Sequence, residues 1–151
     1  MTTPPRTREQ RRQDTLRRLE QDVDAWVATA GEGGVPSLAP FSFLWDGVTL
    51  LFAMPANGPT ARNLLASGQI RLGLGHTRDV VLIEGTAQAI PAAEIPAETG
   101  DAFAAKTGFD PRALTGPYFY FRVMPRKIQA WREVDELAGR DLMRDGAWID
   151  P

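Results

Sequence analysis

Cysteine is absent from this 151-residue chain, which excludes disulfides, thiolate metal sites and cysteine nucleophiles. Histidine occurs once, as His76, so no multi-histidine metal site can form. Lysine is scarce as well: Lys106 and Lys127 stand alone among 17 basic residues, and the rest are arginines. No apolar run approaches the ~20 residues that a bilayer span requires. Met1 to Arg18 is polar throughout and lacks the apolar stretch of a signal peptide. A soluble, cytoplasmic protein without a membrane partner is therefore expected. The Gly-x-Ser-x-Gly elbow, the phosphate loop ending in Lys-Ser/Thr and the dinucleotide glycine fingerprint are all missing. Gly31 to Gly34 precedes a strand rather than a helix, so it reads as a turn. The acidic residues are scattered, and no catalytic residue can be assigned from them.

What is present fits one domain, residues 1–151, with an apolar fraction of 43% that permits a real core. Residues 1–6 are expected to be disordered. Thr7 and Gln10 have the spacing of a capping box, and an Arg-rich helix is expected over residues 7–21. Its narrow apolar stripe, Leu16, Leu19 and Val23, places it outside a larger body. Six arginines lie in the first twenty residues, with Glu9, Asp14 and Glu20 between them. With a net charge of −2, nucleic acid is not an expected partner, and the arginines read as a solvated helix face. The alternative is an arm that docks nucleic acid or protein.

Beyond residue 24 the period changes to two. Strands are expected over 25–30, 35–44, 48–54, 70–74, 80–90 and 118–131. Pro36 and Pro40 share one parity in the second strand, which suits an edge or bulge rather than a regular central strand. Pro125 predicts a break or bulge in the last. Asp46-Gly47 and Asp145-Gly146 signal tight turns. Helices are expected between Pro59 and Gly68 and from Ile95 to Lys106. Short connections and few parallel crossovers favour a six-stranded antiparallel barrel, mainly β with flanking helices. Tyr118 and Tyr120 share a face opposite Phe119 and Phe121, and are expected in subunit packing.

The segment Asn57 to Asn63 points to chemistry. A helix start presents unpaired N–H groups and partial positive charge, which suit an anion. Thr60 adds a hydroxyl, Arg62 a planar cation and Asn63 an amide, all placed in the first turn. A capped surface helix with an exposed arginine is the alternative.

The runs Trp26-Val-Ala-Thr-Ala-Gly, Gly34-Val-Pro-Ser-Leu-Ala-Pro-Phe-Ser-Phe-Leu-Trp-Asp-Gly-Val-Thr-Leu-Leu-Phe-Ala-Met-Pro and Pro59-Thr-Ala-Arg-Asn-Leu resemble the pyridoxamine 5′-phosphate oxidase-like family. So do Val80 to Ala87 and Pro125 to Trp131. The resemblance spans roughly residues 23 to 146. It implies an FMN-binding split β-barrel, a homodimer with the cofactor at the subunit interface. Ala39, Pro40 and Phe41 would line the flavin ring, Ala53 and Met54 would add contacts, and Thr60, Arg62 and Asn63 would hold the phosphate. Trp131 and Arg140 match a C-terminal tryptophan and arginine that reach the flavin.

The chain also departs from the family. Thr60 stands where many relatives carry lysine, leaving Arg62 as the main charge, and Met54 replaces a polar residue. The Arg-Leu-His-Asp-Arg motif of the oxidases becomes Glu136-Leu137-Ala138-Gly139-Arg140, an acid where the substrate-binding arginine stood. Pyridoxamine phosphate is therefore not expected as substrate. The expected activity is that of an FMN oxidoreductase, passing hydride from a reduced nicotinamide through the flavin to a small acceptor or oxygen. Alternatives are a deazaflavin coenzyme, haem (which would call on His76 or a non-histidine ligand), and a non-catalytic flavin-binding or regulatory module.

Overall fold

Thr7 starts the first element as its pattern requires. In the computed structural model, which describes residues 3–150, its hydroxyl accepts from the Gln10 amide and the Gln10 side chain accepts from the Thr7 amide. Helix α1 follows (Arg8–Gln21) and ends where Asp22 turns extended. Its buried residues are Arg11, Thr15 and Leu19, four apart and so on one face. Leu16 packs at the core edge, but Val23 lies past the helix end and is exposed. The expectation of disorder over residues 1–6 fails at Arg6. Its backbone and side chain both donate to Glu136 at 2.8 Å, and its guanidinium reaches Asp14 at 3.0 Å. Residues 1 and 2 lie outside the described range.

Six antiparallel strands close the barrel. They are β1 (Asp24–Ala30), β2 (Pro36–Trp45), β3 (Leu50–Pro55), β4 (Gln69–His76), β5 (Asp79–Pro91) and β6 (Tyr118–Trp131). The order is β3-β2-β1-β4-β5-β6, and a β3–β6 ladder closes it. Strand alternation builds the interior: Val27, Ile70, Leu72, Leu74, Ile83, Phe121, Val123 and Ile128 all point into one buried cluster. The tail adds a hairpin, β7 (Asp141–Arg144) and β8 (Ala147–Trp148), to the edge of β6. Asp145 and Gly146 both have positive φ, 53° and 79°, as a two-residue type I′ turn demands.

The irregularity expected near Pro125 is a β-bulge. Gly85 faces Pro125 while Glu84 faces Lys127, which leaves Arg126 as the extra residue. Gly85 is required there, because a Cβ would lie 2.8 Å from the Met124 carbonyl oxygen and 2.9 Å from Val123 Cγ1.

Helix α2 (Pro59–Ser67) caps one end of the barrel with Ala61 and Leu64 in the core, and Gly68 ends it in the left-handed region. Helix α3 (Ala97–Thr107) covers the outer face of β2, β3 and β6. Phe103 meets Tyr120 edge-on at 5.5 Å, beside Leu51, Ala53 and Ile95. Tyr120 is therefore fully buried inside its own chain rather than placed at a subunit contact. Among the described residues, no helix lies over the rest of the outer barrel face. Pro40, Trp26, Gly73 and Leu82 form one row across β2, β1, β4 and β5. Trp26 is 53%, Leu38 66% and Leu82 39% exposed.

Gly85→Ala is expected to lower the unfolding free energy by about 1–3 kcal/mol through crowding at the bulge. Denaturant titration measures this, and an unchanged midpoint contradicts the requirement.

Candidate functional site

Strands β2 and β3 pair only at Phe43–Phe52, Leu44–Leu51 and Trp45–Leu50. Toward the α2 end they part. Residues 36–42 of β2 keep an unbroken ladder with β1 alone, and Ala53 to Pro55 keep one with β6 alone. Pro36 and Pro40 lie on the parted stretch of β2 and cannot donate, so that edge is suited to remain open. Ala39, Pro40 and Phe41 stand on one side of this slot, and Ala53 and Met54 on the other. The side chains of the second pair point away from it: Met54 enters the core and Ala53 lies beneath α3. Only their backbone is offered to the slot.

The start of α2 stands at the same end. Gly58 is its N-cap with no side-chain cap, and Pro59 is its first residue. The Thr60 and Ala61 amides therefore precede the first intrahelical bond, which runs from the Arg62 amide to the Gly58 carbonyl. Arg62 is exposed and forms no ion pair among the described residues. Thr60 is buried. Asn63 falls at the fifth helical position, beyond the first turn, and its amide is used within the chain. Its Nδ2 donates to Thr29 Oγ1 at 3.1 Å, while its Oδ1 sits where a Cβ on Gly31 would come within 2.8 Å. Asn63 thus fastens α2 to β1. Two free amides beside an unpaired guanidinium are a donor set that fits a phosphate.

Trp131 and Arg140 come together elsewhere. The Arg140 guanidinium lies 5.9 Å from the Trp131 ring and donates to the Leu137 carbonyl, taking neither Asp141 nor Glu136 as an ion partner. Trp131 pairs with Val80 at the far end of β6. Through the closing β3–β6 ladder, β6 lies only two strands from β2, but Trp131 stands eleven residues, roughly 35 Å of strand, from Tyr120, the β6 residue that faces Ala53. One chain therefore does not bring this pair to the slot. His76 is exposed at the β4–β5 turn, about 23 Å of strand from the α2 end.

Glu136, read as a repulsive acid at a substrate position, is 3% exposed. Hydrogen bonding from Arg6, then from the Arg6 and Arg132 backbone amides, draws its pKa from 4.5 to about 2. Its charge is spent on Arg6, so it does not project toward a ligand. The sequence hides this contact, because the partners are 130 residues apart. Thr29 and Gly31, which seat Asn63, are equally silent in the sequence.

Residues 13–134 match the family described as pyridoxamine 5′-phosphate oxidase. No curated protein matches the sequence. Three similar solved structures show the fold. An F420 reductase is 19% identical with a TM-score of 0.60, covering 73% of this chain and 91% of its own. A FAD-binding protein of Mesorhizobium loti is 16% identical with a TM-score of 0.62, covering 78% and 89%. The haem storage protein HutZ of Vibrio cholerae is 16% identical with a TM-score of 0.58, covering 78% and 92%. No helix among the described residues is long and apolar enough to cross a membrane.

The depressed pKa of Glu136 contributes stability above pH 4.5 that disappears as pH falls toward 2. Glu136→Gln is expected to cost about 3 kcal/mol at pH 7. The gap from wild type should close across that acid window in urea unfolding, and a gap that persists at pH 2 contradicts the assignment.

Proposed function

The chain belongs to the pyridoxamine 5′-phosphate oxidase family, and from that footing we propose that it is a dimeric, FMN-binding oxidoreductase. One observation carries the reading: the slot between β2 and β3 ends at the uncapped start of α2, with Arg62 free beside it. A flat ring with a phosphate tail matches a slot closed by an anion site. The parted edges offer backbone donors and acceptors to the ring's polar rim, while Thr60, Ala61 and Arg62 take the phosphate. A bound flavin supplies hydride transfer, from a reduced nicotinamide to a small acceptor or oxygen. The protein supplies binding and exclusion of water.

The exposed row of Pro40, Trp26 and Leu82 is where a second copy would sit. It flanks the slot and is an apolar surface left without a cover among the described residues. A two-fold dimer through this face would bring the partner subunit's Trp131 and Arg140 toward a slot that their own chain cannot reach. Pyridoxamine phosphate is not the substrate in this reading, since Glu136 and Ala138 replace the arginine and histidine that would hold it. A deazaflavin is the second reading, favoured by the likeness to an F420 reductase and by the absence of a carboxylate paired with Arg62. Haem is disfavoured by the place of His76, far from the slot.

Purified protein is expected to bind FMN with micromolar affinity or better, and its absorption spectrum separates flavin, deazaflavin and haem. Arg62→Ala should weaken FMN about 10- to 100-fold, the worth of a charged hydrogen bond. Unchanged affinity moves the phosphate grip elsewhere. Flavin-loaded protein should not turn over pyridoxamine phosphate, and efficient turnover refutes that part of the reading.

A further inference from the structure

The Arg-rich N-terminus is spent inside the chain. Arg17 pairs with Asp14 and Arg12 stacks 4.8 Å over Trp148. Arg18 donates to the Asp79 carbonyl at 2.6 Å, and Arg8 reaches the Asp150 carbonyl. Arg11 and Arg6 reach furthest and converge on one short segment. Arg11, 6% exposed, donates to the carbonyls of Ala130 at 3.1 Å, Glu136 at 2.9 Å and Ala138 at 3.3 Å. Arg6 holds the Glu136 carboxylate, whose Oε1 also accepts from the Arg132 amide at 2.9 Å. The Ala130 amide donates to the Arg140 carbonyl at 3.1 Å.

These bonds bracket Trp131 on both sides. The residue before it is fixed by Arg11 and by Arg140, and the residue after it by Glu136, which Arg6 clamps. The loop from Trp131 to Arg140 has little regular structure of its own, only one short 3-10 turn over Val134–Glu136. A buried guanidinium with three carbonyl acceptors is also costly to leave unpaired, so the loop and helix are fixed together.

We propose that α1 is a brace, and that Arg11 and Arg6 are positioning residues holding Trp131 and Arg140 in the orientation in which that pair meets the cofactor. The proposal rests on the flavin reading above for the identity of the ligand. The brace itself rests on the hydrogen bonds alone.

Arg11→Met and Arg6→Met in the full chain test it, with Arg17→Met as control because Arg17 is exposed and bonds none of residues 130–140, its polar partner among the described residues being Asp14. Arg6 lies at the helix entry, so its variant serves if Arg11→Met fails to fold. Hydrogen exchange without cofactor is expected to speed up about tenfold or more at residues 130–140, with β1 and β4 unchanged. FMN affinity, followed by quenching of its fluorescence, should fall about as far as in Arg140→Ala, and the Arg11→Met/Arg140→Ala pair should be no weaker than Arg140→Ala alone. Unchanged exchange at 130–140, loosening spread evenly over the barrel, or additive losses of affinity would overturn the proposal. So would faster exchange at 130–140 with full FMN affinity. Wild-type protein that binds no FMN refutes the flavin reading and the brace's role toward it, while the exchange data still decide whether α1 orders this loop.

Discussion

The pairing of β2 with β3 stops after three residue pairs, and the rest of the architecture is arranged around that stop. A barrel that zipped along its whole length would have no place for a ligand between strands. Here the two prolines of β2 fall on the stretch that has left β3. The chain of β3 leaves its own ladder at Pro55 and turns into α2 across the barrel end. Asn63 then ties that helix to Thr29 on the strand that backs β2. The opening is thus framed by covalent continuity on one side and a hydrogen bond on the other.

Coverage of the barrel is uneven in a way that separates structure from contact. Phe103, Ile95 and Tyr120 make the α3 side a second small core. Lys106 extends this side to the first helix, with Nζ 4.3 Å from the Phe43 ring centroid and bonded to the Leu19 carbonyl. The other side of the barrel carries Trp26, Leu38 and Leu82 with nothing above them among the described residues.

Local chemistry was legible in the sequence. The Thr7 box, the Asp46-Gly47 and Asp145-Gly146 turns, the Pro59 and Gly68 helix ends and the bulge near Pro125 each rest on residues close in the chain, and each stands in the structure. So does the six-stranded barrel, because alternation at Ile70, Leu72 and Leu74 specifies a face. What the sequence could not show was pairing at a distance. Glu136 looked like an open acid because Arg6, its partner, is at the other end of the chain. Asn63 looked like a ligand donor because Thr29 and Gly31 are invisible from it. Tyr120 reads as a subunit contact from its own strand, because Phe103 of α3, which buries it, is 17 residues away. Of the ten residues named for the site, Trp131 and Arg140 come together, and the others frame the slot or the helix start beside it.

The brace on Trp131 also has a consequence in time. Arg11 of helix α1 precedes its partners Ala130, Glu136 and Ala138 by 119 to 127 residues in the chain. At ordinary rates of synthesis that is about ten seconds during which Arg11 has none of these carbonyls to hold. The capping box of the helix and the Gln13–Glu9 and Arg17–Asp14 contacts are the means it has of staying helical meanwhile. The Arg11 bonds that lock the C-terminal loop are thus among the latest this helix can make, and a nascent chain cut short before residue 130 carries Arg11 with none of its three acceptors.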